Sequence, residues 1–191
     1  MAWISSHRSG PAVWLGGWIT ELTKWHWFCL PFALAAFVAW RLRRKETARL
    51  LLLAILSGSL AGLGADVIRP LTGRARPNAP AIVEQGWHGC VRGGRIELLD
   101  ANYYSFPSGH VSVAAGLVLY LVIARFGLGL ALLFLPLSVA WARLITLAHH
   151  PSDALAAFIL GFFTAHAVYR HRHLLEKWTQ RGNPRNTSLF R

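Results

Sequence analysis

Apolar runs broken by short basic segments organise this chain. Between Leu50 and Leu63 only Ser57 and Ser59 carry polar side chains, and between Val111 and Ala124 only Ser112 and Tyr120 do. A helix crosses the hydrocarbon of a bilayer with about 20 largely apolar residues. The runs predict spans near 25–40, 48–68, 109–126, 128–148 and 152–169. Ahead of them, Trp14, Leu15, Trp18, Ile19, Leu22 and Trp25 recur at helical spacing, with Thr20, Glu21 and Lys24 off that face. The segment lacks the basic start and unbroken apolar stretch of a cleaved signal. It predicts a helix over 1–24 lying in the membrane interface, where tryptophan is favoured; the alternative is a lengthened first span. The expected fold class is all-α: a polytopic membrane helical bundle of about five transmembrane helices plus an N-terminal interfacial helix.

Composition fits that class. Of 191 residues 54% are hydrophobic and 15% charged, a balance wrong for a soluble domain. The formal net charge of +12 invites a nucleic-acid reading, but its distribution argues against one. Arg41, Arg43, Arg44, Lys45 and Arg49 surround the first turn, Arg125 follows the third span, and Arg170, Arg172, Lys177, Arg181, Arg185 and Arg191 fill the end of the chain. Five spans put all of these on one face, which the positive-inside rule makes cytoplasmic. No recognition motif accompanies the charge, so no nucleic-acid partner is expected. The opposite face carries Arg69, Arg74, Arg76, Arg92 and Arg95, with Arg143 at its edge. Cations held in a compact outer loop imply an anionic ligand there.

The simplest organisation is a single membrane domain over 1–173. Within it, 78–106 is an extracytoplasmic loop with enough apolar residues to fold as a cap. Residues 174–191 form a basic cytoplasmic tail. Cys29 and Cys90 form no CxxC or Cys/His metal spacing.

Three strings carry the chemistry: Arg69-Pro-Leu-Thr-Gly-Arg-Ala-Arg76-Pro77, Pro107-Ser108-Gly109-His110, and Arg143-Leu-Ile-Thr-Leu-Ala-His149-His-Pro-Ser-Asp153. Arginine forks match phosphate oxygens. Pro107 suits the start of a helix, whose free N–H groups and dipole would bind an anion at Ser108–His110. Gly109 would let the backbone come close to it. Asp153 stands four residues after His149 and can orient that ring; Pro151 opens the last helix. In order and spacing the strings resemble the signature of the type 2 phosphatidic acid phosphatase (PAP2) family, over roughly residues 48–170. Two positions depart from it: Arg69 stands where the family has lysine, and Ala142 where it has serine.

The resemblance implies a metal-independent lipid phosphatase working through a phosphohistidine. His149 would be the nucleophile, Asp153 its orienting carboxylate and His110 the general acid. Arg69, Arg76, Ser108, Gly109 and Arg143 would bind the substrate phosphate. No cofactor and no metal are expected; the partners are a lipid phosphate and membrane lipids. The setting implied is the cell inner membrane with the site facing the periplasm or exterior, and a polyprenyl diphosphate such as undecaprenyl diphosphate is the leading substrate. Lipid A 1-phosphate, phosphatidate and phosphatidylglycerophosphate are alternatives, as are phosphotransfer to a lipid acceptor and a non-catalytic lipid-binding or translocating role. His149, His150 and Asp153 as metal ligands form a weaker reading, since adjacent histidines rarely face one ion. Asp66, one turn before Arg69, is expected to pair with a nearby arginine.

Overall fold

The computed structural model describes residues 9–181, with side chains as far as residue 173. Its helices are α1 (Gly10–Leu22), α2 (Trp25–Arg41), α3 (Lys45–Thr72), α4 (Gly109–Ala124), α5 (Phe126–Leu132), α6 (Phe134–Ile145) and α7 (Pro151–Arg181). A small antiparallel hairpin, β1 (Val91–Arg92) and β2 (Arg95–Ile96), lies in the connection from α3 to α4.

The bundle is built around α4. A helix that is apolar on every side belongs inside, and Val111, Ala115, Leu117, Val118 and Leu121 of α4 have no exposed surface. Helices α3, α5, α6 and α7 pack against it. Small residues bring the backbones together: Ser57 Oγ of α3 donates to the Gly116 carbonyl at 2.7 Å, and a Cβ on Gly116 would stand 2.8 Å from that of Ala61. Such contacts serve helix association where burial of oily side chains gives no advantage over lipid.

Helices occupy all five expected places, but the count of five spans is not established. Three stretches are long and apolar enough to cross a membrane, namely Lys45–Thr72, Phe126–Ile145 and Pro151–His173. The bent pair Gly10–Leu22 and Trp25–Arg41 would make a fourth, and Gly109–Ala124 is shorter. The stretch expected as one span over 128–148 is broken at Leu133. Pro136 explains the break, because a helical proline clashes with the carbonyl four residues back, here Leu132.

Helix α1 is a separate element, turned by 60° from α2. Its tryptophan face points away from the protein, with Trp14 and Trp18 exposed, while Gly16 is buried against α6, where a Cβ would stand 2.6 Å from Ile145 Cγ2. Residues 1–8 of the segment expected to lie in the interface fall outside the described residues. At the other end α7 continues to Arg181, past the expected start of the tail at 174, and 182–191 also fall outside.

The 78–106 connection is folded. Trp87 meets Phe106 edge-on with ring centroids 5.0 Å apart, and the Arg92 guanidinium stacks 4.2 Å over Tyr103. Arg92 also bonds Glu97 Oε2 at 3.1 Å and the Gly89 carbonyl at 2.9 Å, so it holds the loop together. Cys29 and Cys90 are both free.

Candidate active site

The three motifs meet where the C-terminal end of α3, the N-terminus of α4 and the α6–α7 turn converge. Helix α3 ends at Gly73, whose φ of +53° is the left-handed conformation that favours glycine at a helix end. The chain then runs extended through Arg74-Ala75-Arg76, bridged at Arg74 to Trp87 and Tyr104. On the other side, α6 closes with Ala148 N–H on the Arg143 carbonyl at 3.1 Å and Leu147 N–H on the Leu144 carbonyl at 3.0 Å. That is a Schellman ending, with Leu147 at φ +53° where glycine is usual. It turns the chain back so that His149 lies just ahead of α7, which opens at Pro151.

Asp153 is fully buried and fully satisfied. Its Oδ2 accepts from Ser105 Oγ at 2.5 Å and from the His150 N–H at 2.8 Å; its Oδ1 accepts from Arg74 Nη1 at 2.5 Å. Arg74 Nη1 also donates to Ser152 Oγ at 2.7 Å, and its guanidinium stacks 4.5 Å over Trp87.

The ring of His149 is held differently from the sequence expectation. Its Nδ1 lies 2.7 Å from the Ser105 carbonyl and 3.7 Å from Asp153 Oδ2. A carbonyl accepts only, so Nδ1 carries the hydrogen and Nε2 the lone pair. The Ser105 backbone orients the ring directly. Asp153 acts by fixing Ser105 through its hydroxyl and by placing negative charge beside the imidazole. Ser105 thus joins the cluster without having been singled out in the sequence, and Arg74, which the sequence left open between touching a distal phosphate and coating the loop, instead grips Asp153. For Arg74 a signal existed: in Gly-Arg-Ala-Arg-Pro an extended backbone puts residues 74 and 76 on one side. For Ser105 there was none, since half of its role belongs to a backbone carbonyl.

Arg69 also departs from expectation. Its Nε donates to the Pro107 carbonyl at 3.2 Å and its Nη1 pairs with Asp66 at 3.0 Å, the ion pair expected for Asp66. A Cβ on Gly109 would lie 1.4 Å from Arg69 Nη2. The open side of Gly109, expected to admit the ligand, is filled by the Arg69 guanidinium. Ser108 is the N-cap of α4 with Gly109 first in the helix, and the Ser108 N–H already bonds the Asp153 carbonyl at 3.2 Å. An anion at this helix end would therefore meet the Gly109 N–H first. His150 Nε2 lies 3.3 Å from the Ala75 carbonyl, joining the first motif to the third. Ala142 is fully buried where α1 crosses α6.

Five buried side-chain polar atoms find no partner among the described residues: Thr20 Oγ1 on α1, and four at the motifs, Arg76 Nε, Ser108 Oγ, His110 Nε2 and Arg143 Nε. Such atoms are rare and each is costly unless something else satisfies it. The cations crowd one another as well. Burial, and after it the charge of Arg69, lowers the pKa of Arg76. An anion bound among them would relieve both penalties. Burial first, then Arg143 and Arg76, pulls His149 down to about 4 against the opposing effect of Asp153, so its ring is neutral at physiological pH. In the unfolded chain an imidazole takes up a proton near pH 6.5. Native stability is accordingly lost as pH falls from there towards 4. Nitrogen-15 spectra of histidine-labelled protein should show His149 neutral down to about pH 4; titration near 6.5 would contradict the burial argument.

No group of three or more histidine, cysteine or acidic side chains placed to hold a metal occurs among the described residues. No curated protein sequence matches the chain. Among solved structures it resembles the crystal structure of Aquifex aeolicus LpxE, with a TM-score of 0.60 and 18% identity over 87% of this chain and 90% of that one, a likeness of fold. A family model of the PAP2 superfamily matches residues 46–176, which hold all three motifs, and the chain belongs to that superfamily.

Proposed function

We propose that this protein is an integral-membrane lipid phosphatase that transfers the substrate phosphoryl group to His149 and then to water. One observation carries the reading: four of the five partnerless buried polar atoms belong to the residues expected to bind phosphate or donate a proton. In the first step His149 Nε2 attacks phosphorus and the bond to the lipid oxygen breaks. His110, protonated once the phosphate anion is bound among the arginines, gives its Nε2 proton to that oxygen. In the second step His110 takes a proton from water, whose oxygen attacks phosphorus and releases phosphate from His149. Arg76, Arg143, Ser108 Oγ and the first N–H groups of α4 hold the phosphoryl oxygens as charge builds. These donors supply the charge stabilisation without a divalent ion.

The finer substrate proposal is a polyprenyl diphosphate, such as undecaprenyl diphosphate, met from the outer face of the inner membrane. The asymmetry of the loop arginines supports that orientation. Phosphate release by purified protein across polyprenyl diphosphates, lipid A, phosphatidate and phosphatidylglycerophosphate, with EDTA present, tests the reading. Turnover of at least one lipid is expected. Release from none of them, or loss of release in EDTA restored by added metal, would overturn it.

Arg69 offers a sharper test. Its Nε holds the Pro107 carbonyl and its Nη2 fills the space beside Gly109, while Nη1 pairs with Asp66 of its own helix, so Arg69→Ala should cost about 1.5–3 kcal/mol in kcat/KM. Arg69→Lys keeps the charge without the fork and should recover only part of this. Unchanged kinetics in both variants would make Arg69 a structural anchor at the membrane edge.

A further inference from the structure

Two cavities flank the bend between α1 and α2, with Thr23 lining both. The smaller, about 170 Å³, is lined by Asp66, Arg69, Gly109 and His110, with Thr23 and Trp25 from the bend. The larger, about 770 Å³, also touches Thr23 and is walled by Phe28, Pro31 and Leu34 of α2 and by Leu135, Ser138 and Val139 of α6. Its size falls within the range of about 300–1,000 Å³ usual for small-ligand sites. Thr23 and Ser138 bring hydroxyls to this wall, but both are already spent inside their own helices, on the Ile19 carbonyl at 2.7 Å and the Phe134 carbonyl at 2.7 Å. What the groove offers is therefore hydrocarbon contact.

The order along the path is that of an amphiphile. Arg69, Asp66 and His110 line the smaller cavity, and apolar side chains line the larger one, a trough on the other side of Thr23. Val139 lies four residues before Arg143 on α6, so the trough begins one turn from a site arginine on the same face. Helix α1 bridges the top, seated on α6 at Gly16, while Trp25 Nε1 ties the start of α2 to Ser59 of α3 at 3.0 Å. The bend and α2 lie outside the stretch that matches the superfamily, residues 46–176. One wall of the trough is thus contributed by a part of the chain additional to the shared core.

We infer that the α1–α2 elbow and α6 form the subsite for the hydrocarbon tail of the lipid phosphate held at His149, and that this subsite selects substrates by the first part of the tail. The inference rests on the phosphatase reading. The trough follows α2 from Trp27 to Leu34, about 10 Å at 1.5 Å per residue. It discriminates within that length and leaves the rest of a long tail in the bilayer.

The test is a series of straight-chain alkyl phosphates of increasing length, each kept below its micellar concentration. For the wild type, kcat/KM should rise by up to about fourfold per added methylene and level off once the tail outgrows the trough. Ser138→Trp and Leu34→Trp fill the trough at positions that are not buried. Each should cut kcat/KM for the longest substrates tenfold or more and leave the shortest within twofold, which also shows that the variant is folded. A tail-length profile unchanged in both variants would overturn the inference, as would equal losses for short and long tails. A wild type that turns over every member without regard to length removes the tail subsite alone. One that releases phosphate from none of them removes the phosphatase reading and the subsite with it.

Discussion

Replacing His149 by alanine should lower kcat by about 10⁵-fold or more, because covalent catalysis has no second nucleophile to fall back on. The ring is buried, and its Nδ1 is committed to the Ser105 carbonyl at 2.7 Å, which leaves Nε2 as the one basic atom available for attack. His150 cannot substitute: its ring nitrogen lies 3.3 Å from the Ala75 carbonyl, at the joint between the first and third motifs. The variant should still bind lipid phosphate, since the arginines and the start of α4 are untouched. Phosphate release from the purified variant, measured beside its lipid binding, checks both halves. Residual turnover within tenfold of the wild type would remove His149 as nucleophile.

Asp153→Asn should lower kcat by about 10³–10⁴-fold with KM little changed, the scale seen when a buried carboxylate behind a reactive histidine is neutralised. The structure supplies the reason. Phosphoryl transfer makes the His149 ring positive, and the Asp153 carboxylate, 3.7 Å from Nδ1, is the negative charge placed to stabilise it. The amide loses that charge and sets an NH₂ group against either Arg74 or the donors Ser105 and His150. Thermal denaturation of the variant separates this effect from unfolding. A fall of less than tenfold in a folded protein would assign the orientation of His149 to the Ser105 carbonyl alone.

The motif residues were legible in the sequence because three short strings resemble a family signature in order and spacing. Arg76, Ser108, His110 and Arg143 each leave a buried polar atom without a protein partner, and each stands in one of the three strings. What stayed hidden was the scaffolding. Arg74 and Arg92 looked alike as loop arginines, yet one grips Asp153 while the other staples its own hairpin to Tyr103 and Glu97. Their difference lies in which surface each faces after folding, and that is set by the bridges of Arg74 to Trp87 and Tyr104. The helices followed hydropathy closely, whereas their breaks followed proline and packing. The turn between α1 and α2 follows from an interfacial helix running into a span, as the tryptophan face suggested, whereas the break inside 128–148 at Pro136 was not expected, and the seat of Gly16 on α6 joins segments far apart in sequence.

The central claim is that phosphate passes through a bond to His149. Rapid quenching of the wild type with ³²P-labelled lipid phosphate tests it most directly. The account predicts a phosphoprotein that is labile to acid and stable to base, with its label mapping to the peptide containing His149 and absent from His149→Ala. Turnover at full rate with no such species, or a label on another residue, would contradict it.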